Sequence, residues 1–241
     1  MLDNRRHREL FDSAEFELAV WVFGSGGTGG EVARCLTGLG VGTQLAPLHL
    51  CDHDVFESHN VPTQLVSYEQ AEQGMAKVVA LRDNLLRINP KAVIHAHQCE
   101  APHWTLPAVA GVAFLCTDTM LSRRAIVEDL LEGNADVRCV IDLRVDVPGA
   151  ISYCFDPNDP FQVNCYFDYW YDDDEADELL GCNSEHFALR SSFLGGVVLA
   201  MKQFEAFAIN QSMEEVPNFT RLLYDVGEYT REFWHNPNVT T

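Results

Sequence analysis

The chain has 241 residues, 47% of them hydrophobic, enough to bury a substantial core. Acidic residues outnumber basic ones by 36 to 16, and the formal net charge of −20 argues against nucleic acid and for a partner with a basic face. No apolar run approaches the ~20 residues of a membrane span, and the basic start Met1 to Arg8 lacks the apolar segment of a secretory leader.

In chain order, Arg8-Glu9-Leu10-Phe11-Asp12 reads as a short N-terminal helix after a basic patch. Ala19 to Phe23 is a continuous apolar run suited to a strand buried on both faces. It stops at Gly24-Ser25-Gly26-Gly27-Thr28-Gly29-Gly30, and a helix follows. Gly24, Gly26 and Gly29 fit G-x-G-x-x-G in its strand–turn–helix setting, where missing Cβ atoms let a phosphate approach free N–H groups at a helix N-terminus. A second strand rises from Gln44 and ends at Asp52, about 20 residues past the glycines, the spacing of a ribose-binding carboxylate. Taken alone, Asp52 could equally cap its own turn.

A polar, irregular stretch from Asp52 to Gln64 leads through Gly74-Met75-Ala76-Lys77 into a helix, Val78 to Ile88, stopped by Asn89-Pro90. Ala92 to His97 reads as a strand with His95 and His97 on one face, either a metal pair or, more simply, a polar face. Gly111 to Cys116 is another buried strand, followed by Thr117-Asp118 and Arg123-Arg124. Val137 to Asp142 is a further strand, with more sheet beyond it. An aromatic cluster, Tyr166, Phe167, Tyr169, Trp170 and Tyr171, leads into Asp172-Asp173-Asp174-Glu175-Ala176-Asp177-Glu178, a solvated loop or a landing strip for a basic surface. Cys182 follows, then an apolar helix from Phe193. The eight cysteines contain no C-x-x-C pair, which fits reduced thiols in a cytoplasmic protein.

From Asp52 onwards the order D-H-D-V-F-E-S-H-N-V-P-T-Q, then G-M-A-K, then I-N-P resembles the ThiF/MoeB/ubiquitin-activating (E1-like) superfamily of adenylating enzymes. The resemblance implies ATP and Mg2+ as cofactors. It implies that Gly24, Gly26, Gly27 and Gly29 line the nucleotide, that Asp52 binds the ribose, and that Asn60, Gln64 and Lys77 surround the phosphates. Asp118 would hold Mg2+, and Lys77 would offset charge developing during adenylyl transfer. Thr63 stands where the family has an arginine; relatives often supply one from the opposite subunit, so Arg5, Arg6 or Arg8 would fill the role, with Arg8 named as catalytic. Cys182 occupies the place of the family's nucleophilic thiol, although its acidic neighbours oppose a thiolate. The zinc cysteines of relatives are missing, and no zinc is expected.

The expected fold is α/β: a Rossmann-like, mainly parallel sheet with helices on both faces, a crossover loop and a C-terminal extension. We expect one ThiF-like adenylation domain over 1–241. Its parts are an arm at 1–18, a nucleotide-binding core at 19–160, a crossover loop at 161–185 and a C-terminal helical portion at 186–241. The expected activity is adenylation of the C-terminal glycine of a small ubiquitin-like or sulfur-carrier protein by a homodimer, with a thioester on Cys182 as a further step. The alternatives are a ThiF-like tRNA-modifying dehydratase, which the charge disfavours, and a non-catalytic nucleotide-binding scaffold, which Thr63 favours.

Overall fold

The alternation inside the first apolar run sets the architecture. In the computed structural model, strand β1 (Val20–Phe23) sends Val20 and Val22 into one core and Trp21 and Phe23 into another, so both faces of the sheet are covered. The structure describes residues 9–100, 109–132, 136–145, 149–173, 190–224 and 227–235. Helix α1 (Gly27–Leu39) follows β1 and is closed by Gly40, whose left-handed φ of 93° suits a residue without Cβ.

Next come β2 (Leu48–Asp52), a 3-10 turn (Ser58–Asn60), the short α2 (Tyr68–Glu72), α3 (Lys77–Ile88) and β3 (Ile94–Gln98). Then β4 (Ala110–Leu115), α4 (Met120–Glu132), β5 (Asp136–Val145), β6 (Gly149–Phe155) and α5 (Pro160–Asp168) complete the middle of the chain. The described chain ends with α6 (Arg190–Asn210), β7 (Phe219–Leu223) and β8 (Glu228–Glu232). The sheet order is β3-β2-β1-β4-β5-β6-β7-β8, parallel from β3 to β5 and antiparallel beyond it.

One core joins α1, α3 and α6 to the Val20/Val22 face; it includes Leu36, Leu81, Ile141 and Phe204. The other joins α4 and α5 to the Trp21/Phe23 face around Ile126, Val140, Phe155 and Tyr166. Burial on this scale, at about 25 cal/mol per Å² of apolar surface, is the main stabilising term.

The fold class is the one expected, with three local differences. Residues 9–19 make turns rather than a helix: Asp12 Oδ1 accepts from Ala14 N, and Phe11 and Phe16 pack against Phe204 of α6. Burying both rings outweighs the helical preference of so short a segment. Residues 161–168, expected within a crossover loop, belong to α5, because Asp159 caps the Phe161 N–H and Pro160 occupies the first helical turn. The segment beyond Asn210, expected as helical, makes the β7–β8 hairpin, since β6 offers an open edge to pair with. No helix among the described residues is long and apolar enough to cross a membrane.

Candidate active site

The glycine loop lies where β1 ends, beside the ends of β2 and β4. Gly24 has φ 89°, and a Cβ there would meet the backbone of Cys116 and Thr117. Its N–H donates to Cys51 O at 2.8 Å, fastening the loop to β2. A Cβ at Gly29 would drive into the Gly24 carbonyl, so this glycine closes the turn onto the helix. Gly27 is glycine for another reason: the ring of Phe193 in α6 fills its Cβ position, with ring carbons 2.8 and 2.9 Å from that point. At Gly26, the N-cap of α1, a Cβ would meet only Gln64 Oε1, at 3.9 Å. Of the four, Gly26 has the clearest room for a bound group.

Asp52 holds this loop directly. Its Oδ2 accepts from Ser25 N at 2.6 Å and its Oδ1 from Asp54 N at 2.9 Å. Both possibilities raised by its position are thus compatible: it caps its own turn, and it stands against the glycine loop. Asn60 is buried in the 3-10 turn, its Oδ1 accepting from Glu57 N at 2.9 Å. Gln64 is half-buried and its Oε1 has no hydrogen-bond partner. Thr63 turns its hydroxyl back to Asn60 O at 3.4 Å.

Lys77 opens α3 with its side chain 13% exposed, and Nζ donates to Asp54 Oδ2 at 2.7 Å. Burial pushes the Asp54 carboxyl up, but the Lys77 ammonium outweighs it, and the net effect is a lowered pKa. Asp54, given no role by the sequence reading, therefore positions the lysine. The second acid of D-H-D was the available signal. Asp52, His53 and Asp54 also bring three ligand-type atoms within 4.8 Å of one another.

Asp118 follows β4, exposed and, among the described residues, engaged by no hydrogen bond or ion pair. Behind it is a buried charge network that sequence reasoning missed. Arg123 of α4 donates to Asp142 and to the carbonyls of Leu115 and Thr117, tying β4's end to β5. Asp142 also accepts from Arg144 Nε at 2.8 Å and from the Tyr166 hydroxyl at 2.9 Å. Burial raises the Asp142 carboxyl, yet the two guanidiniums prevail and hold it below the usual range. Three buried oxygens around the loop end, Ser25 Oγ, Gln64 Oε1 and Thr117 Oγ1, lack partners among the described residues.

The paired histidines do not form a metal site with a third ligand among the described residues. His97 Nε2 lies 3.0 Å from His49 Nδ1, and His49 stacks on Trp21 at 3.8 Å, while His95 is exposed. Burial, then the neighbouring histidines, lower the His49 pKa to about 4. Arg8 and Cys182 lie outside the described residues. Cys165, the other thiol in that region, is half-buried on α5 and burial raises its pKa, so it is no poised nucleophile.

Compared with known proteins, residues 13–208 match the ThiF family, most of the chain and all of the site just described. The chain belongs to the ThiF family. Among relatives of this ThiF-family chain, ubiquitin-like modifier-activating enzyme 5 of Caenorhabditis elegans is 38% identical over 81 residues, 34% of this chain and 18% of that protein. The Caenorhabditis briggsae protein of the same name is 38% identical over 78 residues, 32% of this chain and 17% of that one. Among solved structures, E. coli MccB with ATP superposes with a TM-score of 0.68 at 16% identity, covering 91% of this chain and 65% of that one. The microcin C7 biosynthetic enzyme MccB in complex with N-formylated MccA gives 0.69 at 16% identity, covering 91% and 66%. The chain thus spans less than a fifth of the curated relatives it matches and about two thirds of MccB. The structural likeness establishes the fold.

Proposed function

We propose that this ThiF-family chain adenylates a polypeptide carboxylate with ATP. The observation that carries the reading is the trio of partnerless buried oxygens, Ser25 Oγ, Gln64 Oε1 and Thr117 Oγ1, gathered around a loop left open at Gly26. Buried polar atoms are normally satisfied, and a helix N-terminus beside them favours an anion. The nucleotide's phosphates would take the α1 N-terminus, with Gln64 and Asn60 alongside and Asp52 at the ribose. Asp118, a hard oxygen donor with no competing partner among the described residues, fits a Mg2+ ion shared with phosphate oxygens. When bound, that ion supplies charge neutralisation. Lys77, held by Asp54, would add a positive charge to the same end.

The substrate carboxylate attacks the α-phosphorus, the bond to the β-phosphate oxygen breaks, and pyrophosphate leaves an acyl-adenylate. The C-terminal glycine of a small ubiquitin-like or sulfur-carrier protein is the substrate we favour. The relatives named ubiquitin-like modifier-activating enzyme 5 support it, as does the MccB complex with MccA. A homodimer whose Arg8 reaches the partner's site would compensate for Thr63, and Cys182 would accept the acyl group. ATP–pyrophosphate exchange with and without a candidate carrier tests the reading, with Lys77→Met expected to lower exchange about 100-fold or more. Undiminished exchange in Asp118→Ala and Lys77→Met would overturn these roles. A second reading, a nucleotide-binding scaffold without chemistry, is favoured by Thr63 turning back onto Asn60. ATP binding without exchange in the presence of the carrier would select it.

A further inference from the structure

Arg144 occupies a place that the proposed reaction leaves unused. It stands at the end of β5 with its side chain 6% exposed. Its guanidinium carbon lies 4.5 Å from the centre of the Tyr153 ring, 5.1 Å from Tyr171, 5.5 Å from Trp170 and 5.6 Å from Tyr166. Nε donates to Asp142 Oδ2, and Nη2 lies 2.8 Å from that same oxygen without directing a hydrogen at it. Among the described residues, Nη1 has no hydrogen-bond partner.

Among the described residues the charges do not balance either. Asp142 is fully buried and serves both Arg123 and Arg144, so one carboxylate faces two buried guanidiniums. The Tyr166 hydroxyl donates to Asp142 and brings no negative charge. The four rings stabilise the guanidinium as a cation, but they accept little from the N–H groups along its Nη1–Nη2 edge. A buried cationic edge in this state calls for an anion. A carboxylate matches the planar fork bidentately.

We propose that Arg144 is an anion subsite for a carboxylate of the polypeptide that the site acts on, an inference that rests on the adenylation reading. Asp142 pairs in register with Leu115 of β4, two residues after which the chain reaches Thr117 and then Asp118. The subsite therefore lies at the same strand-end edge as the glycine loop, where open α/β sheets receive ligands. Tyr153 and Tyr166 are buried, whereas Trp170 and Tyr171 are half-buried, so access runs past the latter two. The aromatic cluster ahead of the acidic run thereby gains a function as the walls of the subsite.

The test is a titration of full-length protein labelled with 15N-arginine, following the Arg144 Nε–H resonance identified by its loss in Arg144→Lys. The probes are N-acetyl-Gly-Gly, N-acetyl-Gly-Gly-amide and N-acetyl-Glu-amide at constant ionic strength, with inorganic phosphate as the tetrahedral competitor. We expect a saturable shift with a free carboxylate and binding about tenfold weaker, or lost, with the uncharged diamide. Arg144→Lys keeps the charge but not the fork, and should weaken binding, read by tryptophan fluorescence, by about tenfold. A response to N-acetyl-Gly-Gly alone assigns the terminal carboxylate; a response to N-acetyl-Glu-amide alone assigns an acidic side chain. Equal shifts with the diamide, a response to phosphate alone, or no saturable shift with any probe overturns the subsite. Arg144→Met removes the charge, and circular dichroism checks its fold; should it not fold, Arg144→Lys carries the comparison. ATP binding by calorimetry separates the two readings: ATP bound without a carboxylate response removes only the subsite.

Discussion

Replacing Gly29 with alanine should cost this protein far more than the same change at Gly26, although both belong to one sequence motif. The new Cβ at Gly29 would enter the Gly24 carbonyl group, its carbon 2.9 Å away, with Cys116 Cβ at 3.2 Å. Backbone must move, because neither Gly24 nor Cys116 offers a flexible side-chain end at that point. Moving Gly24 strains its N–H bond to Cys51 O at 2.8 Å and the adjacent Ser25 bond to the Asp52 carboxylate at 2.6 Å. A neutral bond of this kind is worth about 1 kcal/mol and a charged one about 2 kcal/mol. Overpacking adds about 1–3 kcal/mol. Partial relaxation saves some of this, so a loss of about 3–5 kcal/mol is expected for Gly29→Ala. At Gly26 the nearest atom is 3.9 Å away, and Gly26→Ala should stay within about 0.5 kcal/mol. Equilibrium urea unfolding of the two variants and the wild type, followed by circular dichroism, gives both numbers. A loss below about 1 kcal/mol for Gly29→Ala, or equal losses at the two positions, would refute the division of labour among the glycines.

Acid should weaken the fold through His49. Its folded pKa of about 4 lies below the ordinary histidine value, so the neutral ring is favoured in the native state and the unfolded chain binds the proton more readily. The stability is intact above pH 6.5 and declines as pH falls towards 4, by about 3 kcal/mol in total; His49→Phe should flatten that part of the unfolding profile, and an unchanged slope would discount the stack. Arg123→Met leaves Asp142 its Arg144 and Tyr166 partners but strips the Leu115 and Thr117 carbonyls of their donor, and should cost about 2 kcal/mol in urea unfolding; a loss under about 0.5 kcal/mol would mean that Arg123 does not tie β4 to β5. For the proposed thioester, Cys182→Ala should spare ATP–pyrophosphate exchange and abolish a reductant-sensitive carrier adduct on gel electrophoresis, and a persisting adduct would exclude Cys182 as the acceptor.

The parallel half of the sheet and the glycine loop were legible because their signals are local. A run such as Val20 to Phe23 can be buried on both faces only in a covered sheet, and the close run of glycines from Gly24 breaks that strand. Asp52 announced itself by spacing. Its hydrogen bond to Ser25 did not, since two readings of a strand-end acid share one sequence. What escaped depends on contacts between distant segments. Lys77 meets Asp54 because α3 begins beside the turn after β2. Arg123, Asp142, Arg144 and Tyr166 meet because α4, β5 and α5 converge on one end of the second core. The β7–β8 hairpin was hidden because β8 carries Glu228, Arg231 and Glu232 at exposed positions, and it is pairing, of β7 with the edge of β6 and of β8 with β7, that makes them strands. The contact between Gly27 and Phe193, where the missing Cβ makes room for the ring, likewise joins distant segments.

The ring contacts of Phe11 and Phe16 with Phe204 also bear on how the protein is made. The core beneath α1 is sealed by Val197, Ala200, Met201, Phe204 and Phe207, all from α6. At the usual pace of about 5–20 residues per second, a ribosome takes roughly 10–40 s to travel from the first phenylalanine to the helix that receives it. Once β5 and β6 have been made, they present one apolar face without its lid until α6 follows. The nascent chain is thus most exposed to aggregation, and most in need of a chaperone, after the glycine loop is already synthesised and before α6 leaves the exit tunnel.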